Sequence, residues 1–246
     1  MRTPLVITDL TRMHGQRVCI AGYDPTGHCV RPVQPSPGIL EDSLWDRQQQ
    51  PLIFPFAIVE FDLQARTPQP PHTEDQHYDP TSLRLLGTLH ENARRGYLTH
   101  LAFPGIQAIY ETPILTGPGY YVMDGQGPRS LGTIRPGQVI CATYQLKADG
   151  SSQARIHFLD EMREEFTLTI TDLTWRYFVD YQRNANDCTV AQLAQQMTTL
   201  LQTRQVYLRI GLARGWSEYP DRCYLQVTGI FTFPDYLGGL TLKDLL

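Results

Sequence analysis

Apolar and polar positions alternate with a period of two through much of this chain, and that alternation predicts short strands. Phe166, Leu168 and Ile170 alternate with Thr167, Thr169 and Thr171, the pattern of a strand with one face buried. Residues 5–8, 18–23 and 29–33 read as three more strands. Asp24-Pro25-Thr26-Gly27 lies between the last two and suits a reversing turn, so residues 17–33 form a hairpin. Residues 53–63 are apolar on both parities, as in a strand covered on both sides, and Pro55 places its start at an edge or bulge. Residues 139–146 and 153–159 flank Ala148-Asp149-Gly150 and predict a second hairpin. Residues 206–212 and 222–233 read as the last two strands.

Two segments switch to a helical period. Asp79-Pro80 reads as an N-cap followed by Pro at the first helical position. Leu85, Leu86, Leu89 and Ala93 follow on one face and Gly96 suits the stop, which predicts a helix over about residues 80–95. Thr189 and Gln192 form a capping box ahead of the apolar stripe Val190, Leu193, Ala194, Met197, Leu200 and Leu201. That predicts a helix over about 190–203 whose stripe fills a core. Short strands with unsatisfied edges close into small barrels. Ile7-Thr8-Asp9-Leu10-Thr11 recurs as Ile170-Thr171-Asp172-Leu173-Thr174 and hints at a duplication.

Length and composition narrow the class. A chain of 246 residues can hold one large β domain or two small ones, and 41% apolar content excludes general disorder. No apolar run approaches the length of a bilayer span, so no membrane partner is expected. The opening MRTPLVITDL lacks the long apolar core and cleavage site of a signal peptide, and the cytoplasm is the expected location. Cys19, Cys29, Cys141, Cys188 and Cys223 never form a Cys-x-x-Cys pair, which disfavours zinc fingers and a disulfide framework. Most of them sit in apolar strand-like runs and read as small buried hydrophobes. Net charge is −4, which argues against tight sequence-independent duplex binding while leaving room for a local groove. Only Lys147 and Lys243 are lysines; the arginine excess suits phosphates and bases, or reflects composition alone.

The hairpin RVCIAGYDPTGHCVRPV, the loop PPHTEDQHYDP and the tail LRIGLARGW…CYLQVTGIFTFPDYL together resemble the dual OB domain family. The resemblance implies a mainly β chain with two helices, folded as two small OB-like barrels packed together. The expected units are residues 1–115, with the first helix, and 116–246, with the second. By analogy it also implies binding of nucleic acid or nucleotides, and it supplies no functional residues to carry over.

Site candidates therefore rest on local chemistry. OB-type barrels stack bases on aromatics beside Arg or Lys. Val206, Leu208, Ile210 and Leu212 share one face of their strand, leaving Tyr207 and Arg209 on the other, with Arg214 and Trp216 in the next loop. Tyr23, Arg12 and Arg31 could flank a groove in the first unit, although Arg31 could equally form an ion pair with Asp9 or Glu60. Trp175, Arg176 and Tyr177 make a third cluster, suited to stacking on bases or to packing between the units. His72, Glu74, Asp75 and His77 are the densest group of metal-type ligands, but their spacing fits no closed motif and a surface loop is the favoured reading. The acidic run Asp160, Glu161, Glu164 and Glu165 reads as a solvated turn. Cys188 beside Asp187 has no neighbouring His and is a weak nucleophile. The leading expectation is a non-catalytic binding module for single-stranded DNA or RNA or for nucleotides, with no catalytic residue and no cofactor. The alternatives are a protein-interaction scaffold and a metal-dependent phosphodiesterase or nucleotide hydrolase.

Overall fold

The computed structural model describes residues 2–148 and 150–246, so Asp149 of the expected second turn lies outside the described residues. Five strands form the first half: β1 (Arg2–Arg12), β2 (Val18–Tyr23), β3 (Cys29–Val33), β4 (Ala57–Arg66) and β5 (Asp75–Thr88). They close a barrel in the order β1-β2-β3-β5-β4, antiparallel throughout except for the parallel β3–β5 pair. Alternating inward positions fill it: Leu5, Ile7, Ile20, Val59 and Phe61 have no exposed surface. The strand expected at 53–63 begins at Ala57 instead, because Phe56 adopts a left-handed φ of 64° directly after Pro55.

The chain continues as α1 (Glu91–Leu101), β6 (Ala102–Phe103), α2 (Ile106–Tyr110), β7 (Leu115–Thr116), β8 (Tyr120–Met123) and β9 (Leu131–Ile134). A second set follows: β10 (Gln138–Leu146), β11 (Ser152–Leu159), β12 (Glu165–Ile170), α3 (Leu173–Asn186), α4 (Val190–Gln202), β13 (Gln205–Leu212) and β14 (Arg222–Phe233). The second sheet runs β10-β11-β12-β14-β13-β9-β6. Its first five strands repeat the path of the first barrel, with β12 and β14 as the parallel pair. The crossover before β13 is helical here: α3 and α4, with α4 packed on β10. Before residue 115 the chain has already joined this half, since β6 pairs with β9 and Ile106, Ile109 and Tyr110 lie in the second core. Mostly β structure, one closed five-stranded barrel and a second sheet on the same path agree with two OB-like domains. Among the described residues, no helix is long and apolar enough to cross a membrane.

The helix expected at 80–95 is corrected. Asp79 does not cap a helix; its carboxylate turns back to accept from the Thr81 N–H at 2.9 Å inside β5. The strand runs on to Thr88, leaving Leu85 and Leu86 partly exposed. The helix starts at Glu91 with His90 as its N-cap, and Gly96 lies in its interior. At 190–203 the expectation holds, with both hydrogen bonds of the Thr189–Gln192 capping box in place. Helix α3 escaped the sequence reading. Asp172 caps it by accepting from the Trp175 N–H at 3.2 Å, and Trp175, Phe178 and Val179 bury one side.

The Ile-Thr-Asp-Leu-Thr echo does not mark equivalent positions. Its first copy lies within β1, and its second runs from the end of β12 into α3. The two copies meet instead: Arg12 N–H donates to Thr171 O at 2.9 Å, and Thr11 bridges Asp172.

Candidate nucleic-acid interface

In an OB fold the face of the second and third strands, with the loops after the first and fourth, is where ligands lie. In the first barrel that face is covered by the second. Arg209 of β13 donates from Nε to Asp9 Oδ2 at 2.9 Å, and from Nη1 to Tyr23 Oη at 2.6 Å and Thr133 Oγ1 at 3.0 Å. Its guanidinium also lies over the Tyr23 ring, 5.0 Å from the centroid. Burial raises the Tyr23 phenol far above its ordinary value, so it stays a neutral partner.

Tyr207 and Arg209, expected on an open face, are therefore interior. Tyr207 shares a 2.5 Å hydrogen bond with Thr99 Oγ1 and packs edge-on against Phe233. β13 lies between β14 and β9, with the first barrel over its remaining face, which an alternating sequence cannot reveal. Arg31 is paired as its burial demands, but with Asp75 rather than Asp9 or Glu60: Nε donates to Asp75 Oδ1 at 2.6 Å. Arg214 reaches the other oxygen of Asp75. Glu60 faces Arg2.

The segment holding His72, Glu74 and Asp75 is a buried joint between the barrels, not a surface loop. Glu74 accepts from Ser130 N–H at 2.7 Å, Ser130 Oγ at 2.8 Å and Leu131 N–H at 3.1 Å, which occupies its carboxylate. Burial, with Arg31 and Arg214 nearby, lowers His72 to about 2 and keeps its ring neutral. Its Nε2 lies 3.8 Å from the Cys223 sulfur, whose thiol is pushed up to about 11 by burial, away from nucleophilic use. His77 sits on β5 opposite Val33. Among the described residues no three His, Cys, Asp or Glu side chains gather as a metal site.

Asp160, expected in a solvated turn, is also buried. It accepts from the N–H groups of Ile106 (3.1 Å), Met162 (2.9 Å) and Glu164 (3.0 Å), tying α2 to the β11–β12 turn. Trp175 is buried between Phe178 and Tyr236, so it too is unavailable to a base. All five cysteines are free; Cys223 is buried and the others are half-buried.

The corresponding face of the second barrel is half-exposed. Inward positions alternate with half-exposed Arg155 and His157 on β11 and Thr167 and Thr169 on β12. Arg155 stands opposite Thr169, which stands opposite Gln226 of β14, so these side chains run across one face. Where β14 begins, β8 takes the neighbouring position and sets Tyr121 opposite Tyr224, with ring centroids 5.5 Å apart. Trp216 reaches in from the β13–β14 loop and stacks on Tyr224 at 4.8 Å and 29°. Arg222 lies over the rings of Tyr219 (4.3 Å) and Tyr121 (4.9 Å).

This loop folds tightly because residue 215 is glycine: a Cβ there would stand 2.2 Å from Pro220 O. Trp216 stays 45% exposed, the most open ring of the cluster. The sequence reading found Trp216 and Arg214 but missed Tyr121, Tyr219, Arg222 and Tyr224. The signal was there for β14, where Arg222, Tyr224 and Gln226 share the parity opposite buried Cys223, Leu225 and Val227. Arg12 and Arg176 belong to neither face; both line a groove of about 530 Å³ beside the β10–β11 turn.

The family model for the dual OB-containing domain matches residues 5–230, nearly the whole chain. No curated protein matches it.

Proposed function

The chain belongs to the dual OB-containing domain family, and on that premise we propose that it binds single-stranded nucleic acid on the outer face of its second barrel. The observation that carries this reading is the aromatic platform of exposed Trp216 and half-exposed Tyr224, Tyr121 and Tyr219, threaded by Arg222, at one end of the β11–β12–β14 face. Stacking on such rings accepts any base, and a guanidinium among them adds attraction to the phosphates. Arg155, Thr167, Thr169 and Gln226 continue the face with hydrogen-bonding groups. The first barrel acts as a support, since its own face is spent on Arg209 and Asp75. A net charge of −4 fits a mode dominated by stacking rather than by a long basic track.

The test is fluorescence anisotropy with labelled single-stranded and duplex DNA and RNA across a salt series. Single strands are expected to bind more tightly than duplexes, with affinity falling as salt rises. No binding at low salt, or duplex binding as tight as single-strand binding, sinks the reading.

A further inference from the structure

A second polar feature lies beside the β10–β11 turn and α3. The groove of about 530 Å³ is lined by Arg12, Arg176 and Arg183, with Tyr144, Ser152 and Asp180 among the remaining wall. Arg12 comes from the end of β1, Arg176 and Arg183 from α3, and Ser152 from the start of β11, so both barrels contribute. Among the described residues the wall holds three guanidinium groups and one carboxylate, Asp180, and Arg12 also acts on the charge of Glu41 nearby. Among the described residues none of the three makes an ion pair.

Their contacts are to neutral groups. Arg176 Nη2 donates to Ser152 O at 3.1 Å, and Arg183 Nη1 donates to Tyr144 Oη at 3.0 Å. Tyr144 in turn donates to Asp180 Oδ1 at 2.7 Å and so stands between that carboxylate and Arg183. Burial, and then the charge of Arg12 beside it, hold Arg176 below its ordinary value, as expected of like charges crowded together. An oxyanion between them would relieve that crowding and accept from several planar forks at once.

We propose that this inter-barrel groove binds a phosphate group. Two sources share that chemistry, a small phosphorylated molecule and the phosphates of a nucleic-acid strand. The second source rests on the function proposed above. By strand register Tyr224 is level with Thr167 and His157, and Ser152 lies five positions further along β11, about 17 Å away. A strand stacked at Trp216 and running across the face would thus reach the end of β11 beside which the groove lies.

The experiment is calorimetric titration of the full chain with pyrophosphate, with a mononucleotide, and with single-stranded oligonucleotides carrying either a 5′-phosphate or a 5′-hydroxyl. It is run on the native protein, on Arg12→Gln and on Arg176→Gln, with circular dichroism and thermal unfolding to show that each variant is folded. Arg12→Gln is the cleaner variant because among the described residues its guanidinium makes no ion pair or hydrogen bond, and only a longer-range attraction to Glu41 is given up. Pyrophosphate is expected to bind the native protein, and each substitution to weaken it at least tenfold. A preference for the 5′-phosphorylated strand that disappears in the variants identifies the strand as the source; mononucleotide binding alone identifies the small molecule. If pyrophosphate binds through Arg12 and Arg176 while no oligonucleotide binds, the groove stands and the strand reading fails. If oligonucleotides bind native protein and variants alike and pyrophosphate does not bind, the groove assignment is overturned and the strand reading stands.

Discussion

Arg209 and Asp9 lie 200 positions apart in sequence and hold a fully buried ion pair, with Nη2 2.8 Å and Nε 2.9 Å from the same carboxylate oxygen. Thr8 Oγ1 and Thr228 Oγ1 also donate to Asp9, at 2.8 and 2.6 Å, so both its oxygens are engaged. The pair joins the two barrels where an isolated OB fold would offer its ligand face. Removing one partner of such a pair strands a buried charge. Arg209→Met is therefore expected to cost about 3–5 kcal/mol in urea unfolding. Asp9→Leu combined with Arg209→Met is expected to recover most of it, because the charge and its counter-charge leave together. A single-mutant loss under about 1 kcal/mol would show that the pair does not hold the barrels together.

Asp172 makes stability depend on pH. Burial lifts its carboxyl to about 7, against the pull of N–H donors from Ile230, Trp175 and Thr174, and the nearby Asp9 adds to the rise. An acid whose folded value lies above its unfolded one binds more protons when folded. Its contribution is complete below about pH 4, fades as pH rises, and is gone above about pH 7. The unfolding free energy should fall across that window by on the order of 4 kcal/mol, and Asp172→Asn should flatten the profile. A difference between the native and Asp172→Asn profiles that is flat or rises over the window would mean that the three donors outweigh burial.

Trp216→Ala tests the aromatic platform. Loss of one stacking ring is expected to cost about 1–3 kcal/mol of single-strand affinity. Stability should change little, because the ring is 45% exposed. Tyr207→Phe is the contrasting variant: it removes a buried hydroxyl bonded to Thr99 and should lower stability by about 1 kcal/mol without changing affinity. Equal loss of affinity in both variants would speak against a local platform.

At Gly229 the backbones of β14 and β1 come close together. A Cβ there would stand 2.9 Å from Thr8 O and 3.1 Å from Arg209 Cγ. Since that oxygen belongs to the backbone, Gly229→Ala must push β14 from β1, and a loss of about 1–3 kcal/mol is expected. Thermal unfolding within a degree of the native protein would refute so tight a contact.

Legibility followed the range of the interactions. β2, β3 and β14 appear at their expected bounds, and α4 announces itself through the Thr189 box, because both signals are local. The first helix was misplaced because Asp79 makes a turn with Thr81 that resembles a cap in sequence alone. The candidate site suffered more. Tyr207 and Arg209 have the alternation of an exposed face, yet that face is turned toward the other barrel, and no periodicity encodes which barrel lies above which strand. Glu74 read as part of a surface loop for the same reason: its partners, Ser130 and Leu131, are 56 and 57 residues away.

The inter-barrel pair also sets an order in time. During synthesis Asp9 emerges 200 residues before Arg209, an interval of about 10–40 s at roughly 5–20 residues per second. Throughout that interval the nascent first barrel carries a carboxylate designed for the interior with no counter-charge to meet it. The first barrel is thus completed only once the strand 200 residues downstream has been made.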